Sequence, residues 1–516
     1  MSLGDCMAGV TSIQLKIGME IHVELATRSK MFTRAANVAH PDFFDAPPNS
    51  VVDAVVAALP GTLPVMNRRA IELSVMVGLA LNCRIASHSK WDRKNYFYPD
   101  LPKGYQISQY DLPLCFDGEV LIPLEDDRTL RVGIIRAHLE EDAGKLGHEL
   151  PGGVRYEGSL VDLNRAGTPL LEIVTHPDLS SADDAVLFAR ELRNICRFLN
   201  VTEGVMQRGH MRFEPNINLI IQTDDGRQYA TPIVEVKNLN SFKSLHGAIV
   251  HEEKRQLEQW KKTGETLASG NKSTRGWDDV KGITVLQREK EEAHDYRYFP
   301  DPDLLPVEVD EAWLKRIEAE VPELPMQRRQ RYRENYHLSQ KDANALTDDR
   351  DVCLFYEACI AALEKKIGTS SPARNPGREC AVWVLNAGAK RANERGCGVH
   401  ELGITPEHIA QIVELREANV IGSSAADELF GLLCEADEHE TAEAVAAQHG
   451  LLQVRDERQL DEWVAEAIAA HAQAATDFAS GKDAALGRLT GHIMKISKGR
   501  ADAKAAQEKL VKLLRG

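Results

Sequence analysis

The first part of the chain alternates apolar and polar residues without interruption from Ser12 to Ala26. Successive side chains of a β-strand point to opposite faces, so this period of two predicts a strand with one face in a core. The apolar positions are Ile13, Leu15, Ile17, Met19, Ile21, Val23 and Leu25. Glu20, His22 and Glu24 share the polar face about 6.5–7 Å apart, given a rise of about 3.3 Å per residue. This spacing suits ligands of a hard cation, and a solvated sheet face is the alternative interpretation.

The same alternation returns in four later segments, each with an acid on a strand face. These acids and their polar neighbours are Glu140 with Arg136 and His138, Glu172, Glu214 with Arg212 and Asn216, and Glu235 with Lys237. Carboxylates gathered on one surface repel one another unless a cation neutralises them. The pattern therefore predicts one sheet whose polar side, which we call the cradle, is lined by these acids and holds Mg²⁺. The alternative is local pairing of the acids with Arg136, Arg165, Arg212 and Lys237.

Helical periodicity is found at 67–83, 180–199 and 239–263, and the last two segments predict helices that cover the apolar side of the sheet. Asn67 is the predicted cap of the first helix. The stretch 261–281 is rich in Gly, Ser and Thr and is predicted to be a mobile loop. Three closely spaced prolines then stiffen the chain, which predicts a domain boundary near residue 305.

Beyond that boundary the pattern is helical, and Thr405 is the predicted cap of a further helix with Pro406 at its first position. We therefore predict an α+β protein. An antiparallel-sheet cradle domain with covering helices spans 1–305, an α-helical linker domain spans 306–404, and a small α-helical tail domain spans 405–516.

Composition narrows the class of protein. The nine cysteines are scattered without a C-x-x-C pair, so neither a zinc site nor a disulfide framework is indicated. No apolar run reaches 18 residues and the N-terminus lacks a signal pattern, which predicts a cytoplasmic protein without a membrane span. The net charge is −16, yet 479–516 contains nine Lys or Arg against three acids. This local excess can direct a polyanion to the tail, and a solvated basic helix is the alternative.

A segment from Trp91 to Gln106 interleaves cations with aromatic residues. Such a segment can bind phosphate and nucleobase, or it can be an ordered loop folded over the sheet. The chain contains no phosphate-binding G-x-x-x-x-G-K-[ST] loop and no G-x-G-x-x-G turn. If ATP is used, we expect the cradle to hold it through Mg²⁺.

Several long, irregular motifs connect these segments to a known family. They are Ile17-Gly18-Met19-Glu20-Ile21-His22-Val23, Asp92-Arg93-Lys94-Asn95-Tyr96-Phe97-Tyr98-Pro99-Asp100, Tyr105-Gln106-Ile107-Ser108-Gln109-Tyr110-Asp111, His138-Leu139-Glu140-Glu141-Asp142-Ala143-Gly144-Lys145, Asp162-Leu163-Asn164-Arg165, Lys237-Asn238-Leu239-Asn240-Ser241-Phe242 and Asp295-Tyr296-Arg297-Tyr298-Phe299-Pro300. With these motifs the chain resembles the B subunits of the aspartyl/glutamyl-tRNA amidotransferases over essentially its whole length.

The resemblance implies a ligase that forms a C–N bond. The B component of this family uses ATP and Mg²⁺ to phosphorylate the side-chain carboxyl of Glu-tRNA(Gln), Asp-tRNA(Asn) or both. Ammonia released from glutamine by the amidase (A) subunit then displaces the phosphate, while a small C subunit joins A to B. The mischarged tRNA is held in part by the tail domain. A non-catalytic tRNA-binding scaffold that lines the ammonia route is the alternative.

By matching position, the resemblance also implies the site. The catalytic residues are Glu20, His22, Glu141, Glu172 and Arg165. The metal shell comes from Glu20, His22, Glu214 and either Glu140 or Glu141, and the contacts of ATP or phosphate come from Arg212, Lys237 and Asn216.

Two departures from the family pattern qualify these expectations. Many members carry zinc-binding cysteine pairs near the start of the chain, but 33–53 contains no Cys, so no zinc is predicted. Where the family commonly has Arg-Cys-Asp-Ala-Asn, this chain reads Arg212-Phe213-Glu214-Pro215-Asn216. Glu214 is one methylene longer than the family's Asp.

Overall fold

The computed structural model describes residues 9–124, 128–150, 153–268, 271–289, 296–367, 374–453, 457–497 and 499–516. Asp295 of the last motif and Lys498 of the basic tail lie outside these ranges. The chain groups into two compact units, Met1–Met326 and Gln327–Gly516. The first unit contains the predicted cradle domain, and the division of the rest into linker and tail at residue 404 stays a prediction.

The strands belong to the first unit. They are β1 (Val10–Glu24), β2 (Arg84–Ile85), β3 (His88–Ser89), β4 (Asp92–Asn95), β5 (Tyr105–Ser108), β6 (Cys115–Pro123), β7 (Thr129–Glu141), β8 (Lys145–Leu150), β9 (Val154–Asp162), β10 (Pro169–Thr175), β11 (Met211–Thr223), β12 (Gln228–Ala230), β13 (Val234–Lys237), β14 (Ser273–Asp278), β15 (Ile283–Glu289), β16 (Phe299–Pro300) and β17 (Val307–Glu308). The main sheet has the order β15-β14-β13-β11-β1-β10-β7-β5-β4-β16, with β2, β6 and β12 attached.

The helices are α1 (Arg68–Ala80), α2 (Ala182–Phe198), α3 (Phe242–Thr263), α4 (Glu311–Glu320), α5 (Pro325–Tyr336), α6 (Gln340–Thr347), α7 (Arg350–Ile367), α8 (Pro376–Val382), α9 (Ala389–Arg395), α10 (Pro406–Glu417), α11 (Ser423–Leu433), α12 (Ala442–Gln448), α13 (Glu457–Ala470), α14 (Ala472–Ala479), α15 (Ala484–Ile496) and α16 (Ala503–Arg515). A π-helical stretch, Trp383–Gly388, joins α8 to α9. The α+β fold predicted from the sequence is confirmed. None of the helices in the described ranges is both long enough and apolar enough to cross a membrane.

Strand β1 lies in the middle of the sheet, as its alternation predicts. Ile17, Met19 and Ile21 are fully buried, and they share one core with residues of α1, α2 and α3. These helices begin where capping residues predict. The side chain of Asn67 accepts the N–H groups of Arg69 and Ala70 at the start of α1. Thr405 likewise caps α10 in the second unit.

One strand lies where the sequence predicts a loop. Strand β14 occupies 273–278, so the loop prediction for 261–281 is wrong over these residues. Strand β14 pairs with β13 in parallel, whereas the other pairs of the main sheet are antiparallel. A parallel neighbour requires a long connection, and the 22-residue helix α3 supplies it.

Candidate active site

The register of the sheet brings the polar residues of separate strands onto one surface. On one side of β1, Glu20 lies opposite Glu214 and His22 lies opposite Arg212 in β11. On the other side, His22 lies opposite Glu172 in β10, and Glu172 lies opposite His138 in β7. Residues directly opposite one another in antiparallel strands share a face. The cradle predicted from the sequence is therefore a continuous surface of β7, β10, β1 and β11.

His22 lies at the centre of this surface. Its Nε2 is 3.8 Å from Glu20 Oε1, 3.8 Å from Glu140 Oε1 and 3.6 Å from Glu172 Oε2. Potential ligand atoms of His22, Glu140 and Glu172 all lie within 4.8 Å of one another, and so do those of Glu20, His22 and Glu214. We call these five residues the His22 cluster.

The donor set of the His22 cluster fits a divalent ion. Four carboxylates with one imidazole are ligands that Mg²⁺ and Mn²⁺ accept, and they contain no soft sulfur donor. Nδ1 of His22 is buried and has no hydrogen-bond partner among the described residues. The contacts of Nε2 therefore orient the ring.

Burial and the neighbouring charges shift the pKa values of these carboxylates. Burial, and then the charge of Glu172, raise the pKa of Glu20 to about 7. Burial and Glu172 also raise the pKa of Glu140. Burial alone would raise the pKa of Glu172, but His138 and His22 outweigh it and hold that pKa well below its usual range. A cation bound within the cluster would favour the ionised forms of Glu20 and Glu140 and so lower their pKa values.

The pKa values of His22 and His138 shift in opposite directions. Burial lowers the pKa of His22, but Glu172 and Glu214 outweigh burial and raise it to about 9. For His138, burial dominates and lowers the pKa to about 4. Its Nε2 lies 3.5 Å from Glu172 Oε2. His138 is therefore neutral near pH 7, a state in which its ring nitrogen can donate to or accept from a ligand.

A second charged group lies at one end of the cradle. Arg212 Nη2 donates to Asp142 Oδ2 at 2.7 Å, and Arg165 Nε lies 3.5 Å from the same oxygen. Burial is outweighed by these two guanidinium groups, which lower the pKa of Asp142 to about 2. Arg165 also donates to the carbonyl groups of Ala143 and Gly144. Arg212, predicted to contact phosphate, and Arg165, predicted to be catalytic, are thus both oriented by Asp142, which we did not single out from the sequence.

Lys237 and Asn216 occupy the opposite end. Lys237 Nζ lies 2.7 Å from Glu214 Oε2 and 3.0 Å from Glu235 Oε1. Asn216 lies between Gly18 of β1 and Glu235 of β13 in the register. Lys237 therefore positions Glu214, and the local pairing considered as an alternative exists alongside the His22 cluster.

The structure separates Glu141 from the other predicted ligands. Glu140 and Glu141 are consecutive in β7, so their side chains must point to opposite faces. Glu140 faces His22, whereas Glu141 forms an ion pair with Lys103 and accepts the N–H of Ile107 at 3.0 Å. Of the two residues left open by the sequence, the structure brings Glu140 into the His22 cluster and excludes Glu141 from it.

Lys94 is a further residue that the sequence did not single out as part of the site. Its Nζ lies 5.0 Å from the centre of the Tyr296 ring. Burial would lower its pKa, but Glu140 and other groups outweigh burial and raise it. Lys94 lies opposite Gln106 of β5, and because residues 92–95 are polar throughout, no alternation in the sequence marks Lys94 as a cradle residue.

Exposed aromatic rings border this part of the site. The rings of Tyr110 and Tyr298 stack with centroids 4.2 Å apart and planes 12° from parallel. Phe97 and Tyr98 are also exposed, with 82% and 59% of their surface accessible. The aromatic segment 91–106 therefore contains β4 and β5, near the end of the sheet that β16 completes, and its Phe97 and Tyr98 rings face solvent.

The chain is similar to known proteins over almost its whole length. Residues 15–315 match the family described as "GatB/GatE catalytic domain", and residues 366–514 match the family described as "GatB domain". The chain is 45% identical over 498 residues to a protein of Thermomicrobium roseum, covering 96% of this chain and 98% of that protein. It is 40% identical to a protein of Caldicellulosiruptor saccharolyticus, covering 96% and 98%. It is 41% identical to a protein of a Synechococcus strain, covering 97% of each. Each of the three is named as the B subunit of an aspartyl/glutamyl-tRNA(Asn/Gln) amidotransferase.

Proposed function

The chain belongs to the family of aspartyl/glutamyl-tRNA(Asn/Gln) amidotransferase B subunits, and from this we propose that it converts mischarged tRNA into its amide form. The substrates are Glu-tRNA(Gln), Asp-tRNA(Asn) or both, and the products are Gln-tRNA(Gln) and Asn-tRNA(Asn). The reaction consumes ATP and requires Mg²⁺. This role in protein synthesis assigns the protein to the cytoplasm.

The chemistry explains why ATP is needed. A carboxylate is a poor electrophile, and its oxygen would have to leave as hydroxide or oxide, which are poor leaving groups. Transfer of the γ-phosphoryl group to a carboxylate oxygen releases ADP and gives an acyl phosphate. Ammonia then forms the C–N bond as the C–O bond to phosphate breaks, and inorganic phosphate leaves. Phosphoryl transfer depends chiefly on positioning and charge neutralisation, which a charged surface can supply.

The His22 cluster is the single observation that carries this proposal. Glu20, His22, Glu140, Glu172 and Glu214 would hold a divalent ion, since their ligand atoms already lie close together. When bound, the ion supplies positive charge to the oxygen atoms of the triphosphate. The protein contributes a nearly dry, rigid sheet surface, since Glu140 and Glu172 are buried.

The neighbouring cations have defined partners. Arg212 and Arg165 share Asp142, and Lys237 shares Glu214 and Glu235. These acids orient the cations. His138 is held neutral beside Glu172 and positions that carboxylate.

The family also suggests the assembly. We propose an amidase (A) subunit that supplies ammonia and a small C subunit that joins it to this chain. The mischarged tRNA contacts the basic tail. The exposed ring of Tyr110, stacked on the half-buried ring of Tyr298 near Lys94 and Glu140, suits an unpaired base at the tRNA end that carries the amino acid.

The test uses the assembled complex with A and C subunits, ATP, Mg²⁺ and each mischarged tRNA. Glu20→Gln should lower amide formation at least ~100-fold, since it removes a ligand of the proposed ion. Glutaminase activity of the A subunit should persist. The matched control is Glu149→Gln, an exposed glutamate of β8. Full amide formation by Glu20→Gln would reject the catalytic assignment in favour of a scaffold that lines the ammonia route.

A further inference from the structure

A second polar cavity lies on the face of the sheet opposite the cradle. It has a volume of about 410 Å³ and lies between α3, β13 and β14. The pairing of β13 with β14 places Glu235 and Thr274 on the cradle side, which puts Val234, Ser273 and Arg275 on the other side. The lining residues whose chemistry matters are Arg255, Arg275, Lys272, Ser273, Trp260 and Glu265. None of them belongs to the His22 cluster.

Two guanidinium groups of this cavity share one buried carboxylate. Glu252 is fully buried, and its Oε2 lies 2.8 Å from Arg255 Nη2. Its Oε1 lies 3.4 Å from Arg275 Nε and also accepts the hydroxyl of Thr284. Glu252 is therefore saturated with donors, and its single charge compensates only one of the two arginines.

The remaining charges leave an excess of positive charge. Lys272 is exposed at the rim, where it adds a third cation. Glu265 is the second acid, and it accepts from Gln259 Nε2 at 3.3 Å. Three cations thus face two acids in the described part of the cavity.

Of the two arginines, Arg275 has the weaker contact with Glu252. Burial and the nearby charge of Arg255 lower its pKa despite the opposing effect of Glu252. Its Nε and Nη2 donate to the hydroxyl and carbonyl of Thr284, both at 2.9 Å. Its Nη1 has no hydrogen-bond partner within the described ranges, and it belongs to a residue that lines the cavity.

The rest of the wall is mixed. Leu286 contributes exposed aliphatic surface and Pro232 is half-buried, whereas Val234 and the indole of Trp260 are almost fully buried. Thr231, Gln256, Gln259 and Asn271 contribute polar groups. A cavity of a few hundred Å³ with a partly apolar wall and a few convergent polar groups is typical of a small-molecule site. Bare ions would leave this apolar surface in contact with water, whereas an organic anion would cover it.

We propose that this cavity binds a small organic oxyanion, a carboxylate or a phosphate monoester, with its anionic group at Arg275 and Lys272 and its organic part against Pro232 and Leu286. The charge excess defines the sign of the ligand, and the wall defines its organic character. This site is independent of the function proposed for the cradle.

Isothermal titration calorimetry of the full-length chain tests the proposal. The buffer contains EDTA so that divalent ions do not create an anion site in the cradle, and the ionic strength is constant. The probes are AMP and benzoate as organic anions, with inorganic phosphate and acetate as bare anions. We expect saturable 1:1 binding of at least one organic probe, at least tenfold tighter than its bare counterpart. AMP and benzoate distinguish a phosphate monoester from a carboxylate.

Variants locate the binding. Lys272→Glu and Arg275→Gln should each weaken binding at least tenfold. Lys272 is exposed, so Lys272→Glu remains informative if Arg275→Gln fails to fold. The matched control is Lys254→Glu, an exposed lysine of α3 that does not line the cavity, which should bind normally.

Three results would overturn the proposal. They are the absence of saturable binding by all probes, equal binding of bare and organic anions, and full binding by Lys272→Glu. Binding that Glu20→Gln alters but Lys272→Glu does not would assign the anion to the cradle and overturn it as well.

Discussion

His22 Nε2 lies 3.6 Å from Glu172 Oε2 on the neighbouring strand β10. The contact joins β1, which lies in the middle of the sheet, to a carboxylate whose side chain is only 9% exposed. His22 is held protonated by Glu172 and Glu214, and its charge in turn keeps Glu172 ionised. Without a metal the cluster is thus a buried ion pair, and a divalent ion must displace the proton of His22 in order to bind there.

The first prediction concerns metal affinity. His22→Ala should weaken Mn²⁺ binding ~100-fold or more, since it removes the residue shared by both groups of ligand atoms. Electron paramagnetic resonance of free Mn²⁺ measures the change. His148→Ala is the matched control, because His148 is exposed in β8 and should leave the affinity unchanged. Equal affinity of wild type and His22→Ala would place the metal elsewhere.

The second prediction separates two consecutive residues. Glu140→Gln should abolish amide formation because Glu140 faces His22. Glu141→Gln should retain most activity but lower the free energy of unfolding by about 3 kcal/mol, because Lys103 would lose its buried partner. Rate measurements and denaturant unfolding check the two effects. Loss of activity in Glu141→Gln with unchanged stability would contradict this assignment.

The third prediction concerns pH. The pKa of Glu20 in the folded protein is raised to about 7 from 4.5, so the folded state binds a proton more tightly than the unfolded state. Its contribution to stability is fully present below pH 4.5 and is lost as pH rises through about 7. Relative to wild type, Glu20→Gln should therefore be increasingly stabilised between about pH 5 and pH 8 in EDTA.

Thermal unfolding of wild type and Glu20→Gln at several pH values measures this difference. Saturating Mg²⁺ should reverse the sign of the difference, since the ion stabilises only the wild-type cluster. A difference in melting temperature that does not change with pH in EDTA would show that Glu20 is not held protonated by its surroundings.

The fourth prediction tests the aromatic rim. Tyr110→Ala should raise the KM for mischarged tRNA by roughly 5–100-fold, since stacking of one base on an aromatic ring contributes about 1–3 kcal/mol. The KM for ATP should stay the same. Tyr110→Phe keeps the stacked ring and should behave like wild type in steady-state assays. A normal KM for mischarged tRNA in Tyr110→Ala would show that this aromatic ring does not contribute to tRNA binding.

The fifth prediction concerns the basic tail. Lys504 and Lys512 are exposed in α16, and Lys504→Glu with Lys512→Glu should weaken tRNA binding. The slope of log K against log salt should fall in magnitude by roughly 1 for each phosphate contact that is lost. Lys262→Glu in the first unit is the control. An unchanged slope in the tail variant would identify these lysines as a solvated helix face.

The sequence predicts the fold where the pattern is local. The alternation of β1 identifies its buried face, and Asn67 and Thr405 identify the starts of two helices. The same alternation of side chains along β7 places Glu140 and Glu141 on opposite faces, so it distinguishes them once one is known to face His22. The polar residues of the cradle could therefore be selected from the sequence with few errors.

The sequence does not reveal relationships that depend on distant pairing. Strand β14 contains Gly276 and polar residues, so its signal resembles that of a loop, and it is a strand because it pairs with β13 on one side and β15 on the other. Asp142 and Lys94 become site residues because Arg212 and Glu140 approach them from elsewhere in the chain. Such burial of charge is a tertiary effect with no local pattern.

The position of β1 in the sheet has a consequence for synthesis on the ribosome. Its hydrogen-bonding neighbours, β10 and β11, follow far later in the chain. A nascent chain therefore exposes two unsatisfied edges of a strongly apolar strand until Met211–Thr223 has left the exit tunnel. We expect the growing polypeptide to need chaperone protection throughout that interval, and the catalytic surface to form in a late, cooperative step.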